Sequence, residues 1–370
     1  MAKKKIAILT GGGDAPGLNA VIYSIVRAVS NDYDVIGYKF GYRGLYNNDY
    51  IALTTATTSG ILHKGGTILF SSNKDNLFDY TIEEDGKKIK KDVSDVAVSN
   101  LKSENVEALI VLGGDGTLTS ARDFARKGVN VIGVPKTIDN DLASTDSTFG
   151  FDTAVNIVVE NLGRVHTTAE SHHRVIVVEV MGRSAGWIAL HSGIAGSADV
   201  ILIPEIPYSL DKIVEKIKER EKAGKRFAII AVTEGAAEKG GEAVVGRVVE
   251  DSPDAIRFGG IAAKIASDLE KRIDNEVRHV TLGHIQRGGE TSPFDRILSA
   301  RYGVKAAEML RAKQFGNMVC LKNNQMGFVS LEEVLGSSAT GSVAKGTSKV
   351  VDPEHELVGV ARALGISFGD

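Results

Sequence analysis

Two short segments of the chain carry side chains suited to holding and transferring a phosphoryl group. Residues 113–117 read GGDGT, and residues 135–141 read PKTIDND. Glycines let the backbone approach an anion closely, while a carboxylate such as Asp115 can ligate Mg²⁺ bound to phosphates. Asp139 could act as the base for an acceptor hydroxyl, with Lys136 stabilising negative charge on the transferring oxygens. Together the two segments predict phosphoryl transfer.

Each of the two segments directly follows a short apolar run typical of a strand, at residues 108–112 and 131–134. In parallel sheets the carboxyl ends of strands form one edge, and ligands bind there. We therefore expect both segments at the same edge of one sheet. By a purely structural interpretation, Asp115 would be a helix N-cap, and the second segment would be an Asx-rich turn.

A second glycine-rich turn, at residues 11–13, follows the apolar run 6–10 and precedes a helical pattern. Asp14 and Pro16 suit the first turn of that helix, whose free N–H groups attract phosphate. Taken alone, this turn is as compatible with a tight strand–helix connection as with a phosphate site. Two such turns in one chain favour phosphate binding.

A set of polar residues lies just beyond other apolar runs: Arg183, Glu234, His284 and Arg287. A buried arginine or histidine in a structural hydrogen-bond network is the ordinary explanation of any one of them. Together they predict an anion pocket, because two arginines and a histidine suit a sugar phosphate. The other histidines show no ligand spacing, and no zinc-type pattern is present.

The composition excludes several classes of protein. The chain has 370 residues, 43% of them hydrophobic, which suffices for about two domains. Its 44 basic and 47 acidic residues leave a formal charge of -3, which argues against nucleic-acid binding. The lone Cys320 excludes an intrachain disulfide and suits a reducing compartment. Because no apolar run could span a bilayer or form a secretory signal, we expect a cytoplasmic protein without membrane contact.

Short apolar runs alternate with amphipathic stretches over most of the chain. The runs predicted as strands are 6–10, 35–39, 108–112, 131–134, 175–180, 200–203, 227–232 and 277–282. Apolar residues at helical spacing lie between several of them. This alternation predicts an α/β fold of parallel sheets with helices on both faces. The charged residues 81–92 are expected to form a solvated surface loop.

Segments spread in order across nearly the whole chain resemble those of the phosphofructokinases: LTGGGDAPGLNAVI, GGDGT, PKTIDND, EVMGRSAGWIA, ADVILIPE, VTEG and LGHIQRGG. The resemblance implies phosphoryl transfer to the 1-hydroxyl of fructose 6-phosphate, with Mg²⁺. It also implies two Rossmann-like three-layer αβα domains with mostly parallel sheets and an active site in the cleft between them. Residues 1–150 and 286–336 would bind the donor, and residues 151–285 and 337–370 the sugar phosphate.

The resemblance further implies roles for individual residues. Asp139 matches the family's base and Asp115 its Mg²⁺-linked acid, while Lys136 and Arg183 would offset negative charge. The residues that match sugar-phosphate contacts are Thr137, Asp141, Met181, Gly182, Arg183, Glu234, His284 and Arg287. Arg174 and Arg278 match arginines that reach a neighbouring subunit's substrate, which implies a homodimer or homotetramer. The residues assigned to the donor are Gly12, Tyr42, Asn73, Lys74, Gly114, Asp115, Gly116 and Thr117.

Two positions give opposing indications about the donor. Glycine at the position of Gly116 resembles ATP users, because a side chain there would crowd the nucleotide. Lys136 resembles the pyrophosphate-dependent branch of the family. We favour ATP, because the space beside Gly116 decides whether adenosine fits, whereas Lys136 only adds charge. A pyrophosphate-dependent enzyme of the same fold is the alternative.

Residues 65–74 depart from the pattern GGTxLGSSR that is usual in the family. Phe70 replaces a glycine, and Asn73 replaces an arginine that bridges the donor and acceptor phosphates. Lys74 could substitute for that arginine, but it lacks the guanidinium fork. These departures leave open a paralogue that binds sugar phosphate without turnover. NAD and lipid kinases also contain GGDGT, but they lack PKTIDND and GHIQRGG.

Overall fold

The computed structural model describes residues 3–84, 86–248, 256–336 and 348–370. Its strands are β1 (Lys4–Thr10), β2 (Tyr33–Tyr38), β3 (Tyr50–Leu53), β4 (Tyr80–Glu84), β5 (Lys87–Lys91), β6 (Val106–Gly113), β7 (Val131–Pro135), β8 (Val175–Val180), β9 (Val200–Leu202), β10 (Ala228–Thr233), β11 (Val245–Val248), β12 (Ile256–Phe258), β13 (Val277–Thr281), β14 (Asn317–Lys322) and β15 (Gln325–Ser330). Its helices are α1 (Leu18–Val29), α2 (Tyr42–Asn47), α3 (Ser94–Ser103), α4 (Asp115–Arg126), α5 (Phe151–His172), α6 (Trp187–Ala195), α7 (Leu210–Lys222), α8 (Ile261–Leu269), α9 (Pro293–Arg311), α10 (Leu331–Leu335), α11 (Glu356–Ala363) and the 3₁₀ helix Gly283–Arg287. None of the helices in the described ranges has the length and apolarity needed to cross a bilayer.

Two sheets organise the chain. The large sheet has the strand order β15-β14-β7-β6-β1-β2-β3, parallel from β14 to β2 with an antiparallel strand at each edge. The small sheet has the order β13-β8-β10-β9 and is parallel throughout. Every run predicted as a strand lies in one of these two sheets. Parallel strands require helical crossovers, which the intervening helices supply.

Both sheets are covered by helices on both faces. In β1, Ile6 and Ile8 pack with α1 and α9, whereas Ala7 and Leu9 pack with α3 and α4. In the small sheet, successive side chains of each strand also point to opposite faces: one set packs with α5 and α6, and the other with α7 and α8. Since successive side chains of a strand point to opposite faces, buried runs of apolar residues produce this three-layer packing. The predicted α/β fold class is confirmed.

The chain passes between the two sheets more than once. Residues 4–135 and 317–330 supply the large sheet, and residues 175–281 supply the small one. The final described segment returns to the small sheet, where Ser367 pairs with Val200. The domain boundaries stay a prediction, and residues 337–347 of the second predicted domain lie outside the described residues.

The prediction of a surface loop at residues 81–92 is wrong in its secondary structure. This segment forms most of the antiparallel hairpin β4–β5, in which Ile82 pairs with Ile89. β5 is exposed along its whole length, so the expected solvation is correct. Gly86 in the turn has a φ of +72°, which a tight hairpin turn requires.

Candidate active site

Three loops meet at the carboxyl edge of the large sheet. β1, β6 and β7 lie side by side, and each ends in one of the segments predicted to bind phosphate or carry carboxylates. The N–H of Gly11 donates to Leu112 O (3.0 Å), and the N–H of Lys136 donates to Gly113 O (2.9 Å). The expectation that these segments share one sheet edge is confirmed.

The side chain of Thr117 fills the space between two of these loops. A Cβ atom added to Gly11 would lie 2.6 Å from Thr117 Cγ2, and one added to Gly113 would overlap the same side chain. Neither position can therefore carry a larger residue without moving Thr117. The two glycine turns close around the first turn of α4.

Gly12 differs from the phosphate cradle that its sequence suggests. Its N–H donates to Ser72 O (3.0 Å), so this donor is used within the protein. Its φ is +78°, and a Cβ there would lie 3.3 Å from Lys136 Nζ and 3.4 Å from Thr117 Oγ1. Because Gly12 has no side chain, Lys136 Nζ and Thr117 Oγ1 stay accessible beside it. Its own amide is not available to bind phosphate.

The N-terminus of α4 supplies backbone donors for a phosphate group. Gly114 is the N-cap, and no side chain of the described residues caps the helix; Asp115 is its first residue rather than its cap. The N–H of Leu118 makes the first bond along the helix, to Gly114 O, so the amides before it point out of the helix end. Beyond the helix itself, no described atom lies within 4 Å of a Cβ built on Gly116. This position borders open space.

Tyr42 supports this helix end. Its hydroxyl donates to Thr117 O (2.8 Å), and its ring stacks on Phe124 with 5.7 Å between centroids. Its burial raises the pKa of the phenol well above the ordinary value. Tyr42, predicted as a donor contact, is thus placed within the protein beneath α4.

Lys136 is a buried cation beside the first glycine turn. Its ammonium group donates to Gly13 O at 2.6 Å, and only 4% of the residue is exposed. Burial, with a smaller contribution from Arg287, lowers the pKa of Lys136 to about 8, although nearby carboxylates oppose the shift. Arg287 in turn donates to Asp14 O at 2.8 Å. Two cations therefore face this turn, ready to attract an anion.

Asp139 presents a carboxylate oxygen without a hydrogen-bond partner among the described residues. Its Oδ1 is buried and unpaired, while its backbone N–H donates to Thr137 Oγ1 at 3.0 Å. Asn140 holds the loop in a left-handed conformation (φ +54°) and accepts from Thr148 N at 3.0 Å. A buried acceptor in this state is costly unless a ligand supplies the donor. Asp139 is therefore free to accept a substrate hydroxyl.

The charge of Asp139 raises the pKa of two neighbouring carboxyl groups, those of Asp141 and Glu234. Burial raises the pKa of Asp141 to about 7, and Asp139 and Asp115 add to the shift. Burial and Asp139 likewise raise the pKa of Glu234 to about 7. Asp139 therefore contributes to the raised pKa of both carboxyl groups, and each of them titrates near neutral pH.

Arg183 lies in the turn between β8 and α6, with a left-handed φ of +51°. Its backbone N–H donates to Glu234 Oε1 at 3.2 Å, which fixes the turn to the end of β10. A Cβ on Gly182 would lie 2.6 Å from Ala185 O, and one on Gly235 would overlap Arg183 O. The small sheet thus places an arginine and a glutamate at its own carboxyl edge, as the sequence predicted.

Comparison with known proteins identifies the family. The family profile described as Phosphofructokinase matches residues 5–310. A protein of Clostridium perfringens named ATP-dependent 6-phosphofructokinase 2 is 66% identical over 371 residues, which cover 99% of this chain and 99% of that one. The chain belongs to the phosphofructokinase family.

Other phosphofructokinases extend the comparison. An ATP-dependent 6-phosphofructokinase of Chloroflexus aurantiacus is 45% identical over 375 residues, covering 100% of this chain and 98% of that one. The phosphofructokinase structure from Saccharomyces cerevisiae gives a TM-score of 0.76 at 29% identity and covers 90% of this chain, which spans 45% of the yeast chain. The pyrophosphate-dependent phosphofructokinase of Nitrosospira multiformis gives a TM-score of 0.79 at 20% identity, covering 100% and 93%, and supports the fold alone. The predicted family is confirmed.

Two arginines assigned to the sugar phosphate of a phosphofructokinase are not brought to this site. Arg174 directly precedes β8 and Arg278 lies near the start of β13, and both pair with Glu276. Met181 and Arg183 follow the opposite, carboxyl end of β8. The small sheet therefore separates the two arginines from the rest of the predicted contacts. His284 is an exposed residue of the 3₁₀ helix Gly283–Arg287.

Asn73 and Lys74, at the end of the segment that departs from the phosphofructokinase pattern, are exposed. Asn73 and Lys74 lie on the loop whose preceding residue, Ser72, accepts the Gly12 amide. The N–H of Lys74 donates to Ser72 Oγ at 3.4 Å. The structure thus places both side chains near the glycine turn at residues 11–13, and both are exposed to solvent.

Several residues that position this phosphofructokinase site were missed from the sequence. Gln286 is fully buried; its Oε1 accepts from Met181 N (3.2 Å) and its Nε2 donates to Gly283 O (3.0 Å). Buried Glu179 accepts from Gly260 N (3.1 Å) at the start of α8. Both lie in segments noted for their resemblance to the family, but nothing in the sequence indicated these contacts.

A second missed feature is the segment 348–351, which joins the two sheets. The N–H of Lys349 donates to Asp141 O (2.7 Å), and Lys349 O accepts from Trp187 Nε1 (2.9 Å). Glu205 accepts from both Gly186 N (2.9 Å) and Val351 N (2.7 Å). This segment ties the carboxylate loop to the start of α6, and no sequence signal pointed to it.

An Mg²⁺ ion, which the family implies, fits the carboxylates. Asp139 Oδ1 is orphaned, and the mutual repulsion that raises the pKa of Asp141 would be relieved by a cation. Among the described residues, no three His, Cys, Asp or Glu side chains converge as a metal cage. Mg²⁺ needs none, because one or two carboxylates and substrate phosphates commonly suffice. Asp115, beside the helix end, is the residue suited to hold it.

Proposed function

We propose that the chain transfers the γ-phosphoryl group of ATP to the 1-hydroxyl of fructose 6-phosphate, forming fructose 1,6-bisphosphate. The observation that carries the proposal is the 66% identity, over 99% of both chains, to a protein named ATP-dependent 6-phosphofructokinase 2. The open space beside Gly116 supports a nucleotide donor, because a side chain there would occupy the room that adenosine needs.

Asp139 is the general base of the proposed reaction. Its unpaired Oδ1 accepts the proton of the 1-hydroxyl as the oxygen attacks the γ-phosphorus. Thr137 holds the backbone of Asp139, and Asn140 holds the turn, so the carboxylate is fixed before substrate binds. A fixed base lowers the entropic cost of reaching the reactive geometry.

Three positive elements face the transferred group. Lys136 and Arg183 offset negative charge on its oxygens, and the amides at the start of α4 hold the donor phosphates. Mg²⁺ held by Asp115 would neutralise charge on the donor phosphates. The breaking bond leaves ADP, so one phosphoryl group moves and one proton passes to Asp139.

The sugar phosphate would contact residues from both sheets. The proposed contacts are Thr137, Asp141, Met181, Gly182, Arg183, Glu234, His284 and Arg287. Arg174 and Arg278 would serve the site of a second subunit, which makes a homodimer or homotetramer part of the proposal, as is a cytoplasmic location. The other donor contacts are Gly12, Asn73, Lys74, Gly114 and Thr117.

Donor use provides the decisive experiment. The purified protein is supplied with fructose 6-phosphate and Mg²⁺ and with either ATP or pyrophosphate, and fructose 1,6-bisphosphate is measured. We expect turnover with ATP. Faster turnover with pyrophosphate, which the buried Lys136 favours as the second candidate, would contradict the choice of donor. An absence of turnover with both donors, together with measurable sugar-phosphate binding, would indicate the non-catalytic paralogue.

A further inference from the structure

Beside the glycine turn at residues 11–13, the side chains of Arg43, Phe40 and Phe70 pack together. We call this group the aromatic ladder and the turn at residues 11–13 the donor turn. The rings of Phe40 and Phe70 stack nearly parallel, with 4.9 Å between centroids and an interplanar angle of 14°. The Arg43 guanidinium lies over the Phe40 ring at 4.6 Å. Both groups therefore pack against the Phe40 ring. Phe70 is 52% exposed, so about half of the residue remains open to solvent.

The ladder is continuous with the loops around the phosphate site. The hydroxyl of Thr10 donates to Phe70 O at 2.7 Å, and the next residue, Ser71, bonds through its hydroxyl to Gly12 O. The N–H of Phe40 donates to Leu69 O at 2.8 Å. Phe70 therefore leaves the protein surface one residue from the segment that contacts the donor turn.

The backbone beneath the two rings is strained. Phe40 has a φ of +56° and Phe70 a φ of +58°, a left-handed conformation that bulky residues rarely adopt. Glycine would occupy either position without strain. Strain held by the surrounding structure concentrates at functional sites. Two aromatic side chains held in this conformation are therefore candidates for a functional role.

We propose that the Phe70 ring stacks against the nucleobase of the phosphoryl donor. The inference rests on the proposed function and deepens it, because it names a residue that distinguishes a nucleotide from pyrophosphate. A planar base has an apolar face that a phenylalanine ring can cover, whereas pyrophosphate has none. Arg43 supports the Phe40 ring, on which Phe70 stacks, through its cation–π contact.

Substitution of Phe70 tests the inference. Phe70→Gly suits the backbone conformation, and Phe70→Leu keeps an apolar side chain without the ring. Because base–aromatic stacking carries substantial binding energy, we expect both variants to raise the Kd for etheno-ATP by about five- to a hundredfold. The quenching of its base fluorescence should be lost, and the affinity for pyrophosphate as a competitor should stay unchanged. Phe328→Ala is the matched control, since Phe328 is 45% exposed on the distant edge strand β15.

The outcomes separate this inference from the proposed function. Unchanged etheno-ATP affinity in both variants would overturn the role of Phe70, whether or not the enzyme turns over ATP. A change of oligomeric state with unchanged affinity would instead assign the ring to a contact with a second copy. Equal weakening of pyrophosphate binding would also overturn the inference, because it would show a general effect on the donor turn. Failure of the wild-type protein to use ATP would refute the function and leave the binding measurement valid.

Discussion

At the scale of single residues, the loop after β7 places a buried cation and a buried base three positions apart. Lys136 donates to Gly13 O on the donor side, whereas Asp139 keeps one oxygen unpaired on the other side. Burial of both groups strengthens their electrostatic effect, because water does not screen them. The loop can therefore offset charge on a transferred group and accept a proton from its acceptor.

The first prediction concerns the base. Asp139→Asn should lower kcat by about a hundredfold to ten-thousandfold, the usual contribution of a positioned general base, with little change in KM. It should also lower the pKa of Glu234, which the charge of Asp139 raises, so the pH profile should shift toward acid. Steady-state kinetics across pH measures both effects. Asp146→Asn, on the exposed part of the same loop, is the control; an equal loss of rate there would contradict the assignment.

A second prediction follows from the lowered pKa of Lys136. In the substrate-free protein the ammonium is charged below about pH 8 and loses its proton above it, so kcat/KM for the donor should fall as the pH rises through 8. Lys136→Arg keeps the charge at every accessible pH and should remove this alkaline fall, even if its rate is lower. Rates measured between about pH 6 and pH 10 decide the question. The same fall in the arginine variant would show that another group titrates.

At the scale of elements, the junction between α5 and α9 depends on one buried carboxylate. Asp295 Oδ2 accepts from Thr153 N (2.8 Å) and from Thr153 Oγ1 (2.6 Å), while Oδ1 is buried without a partner in the described residues. Burial raises the pKa of Asp295 to about 6, although the bonds from Thr153 lower it. The first turn of α5 is thus held by a carboxyl group that takes up a proton more readily in the folded state than in the unfolded chain.

The third prediction is a pH-dependent stability at this junction. The folded pKa lies above the unfolded one, so its stabilising effect is present below about pH 4 and lost as the pH rises through 6. Asp295→Asn should therefore gain stability relative to wild type over this interval, by at most about 3 kcal/mol. Denaturant unfolding of both proteins at a series of pH values measures the difference. A difference that stays constant with pH would refute the prediction.

Most strands of the two sheets could be predicted from the sequence, but β14, which lies between β7 and β15, and the edge strands β3 and β15 of the large sheet were missed. Buried parallel strands such as β6 and β8 are continuous apolar runs, and their pattern has no competing interpretation. β3 and β15 lie at sheet edges and are partly exposed, which weakens the pattern of their residues. The hairpin β4–β5 was missed, although the sequence has an Asp-Gly pair at residues 85–86. Asp-Gly between two short runs that alternate apolar and polar residues is a known signal of a hairpin.

The site was predictable to the extent that its residues follow strands. Loops after parallel strands meet at a sheet edge, which brought Gly113 and Lys136 together as expected. The individual hydrogen bonds of the site could not be predicted from the sequence, because they join residues that are far apart in the chain. The amide of Gly12 is occupied by Ser72, and Asp139 keeps a free oxygen; both facts depend on distances that no local pattern encodes.

At the scale of the whole molecule, two of the proposed sugar-phosphate contacts lie away from the others within one chain. Arg174 and Arg278 lie at the amino end of the small sheet, paired with Glu276 and separated from Arg183 by the length of β8. A symmetric dimer can bring such residues to the partner's site, because each contact occurs twice.

The fourth prediction is complementation between inactive subunits. Co-expression of Asp139→Asn subunits with subunits carrying both Arg174→Ala and Arg278→Ala should give about a quarter of wild-type activity, since random pairing leaves that share of sites intact. Each variant alone should be nearly inactive. Co-expression of Asp139→Asn with Lys136→Met is the control, because both changes belong to the same chain's site. Recovery in the control, or none in the test pair, would contradict a shared site.

The open space beside Gly116 also determines what a single point mutation in its codon could change. A glycine codon that ends in a pyrimidine becomes an aspartate codon by a single base substitution, and the fold offers no contact at this position that would reject the new side chain. Lys136, the position that resembles the pyrophosphate-dependent branch of the family, needs no change. On the proposed function, a lineage that carries such a codon stands one point mutation from filling the space that we assign to adenosine. The added Cβ would meet no described atom outside the helix, so the packing of the protein does not oppose that change.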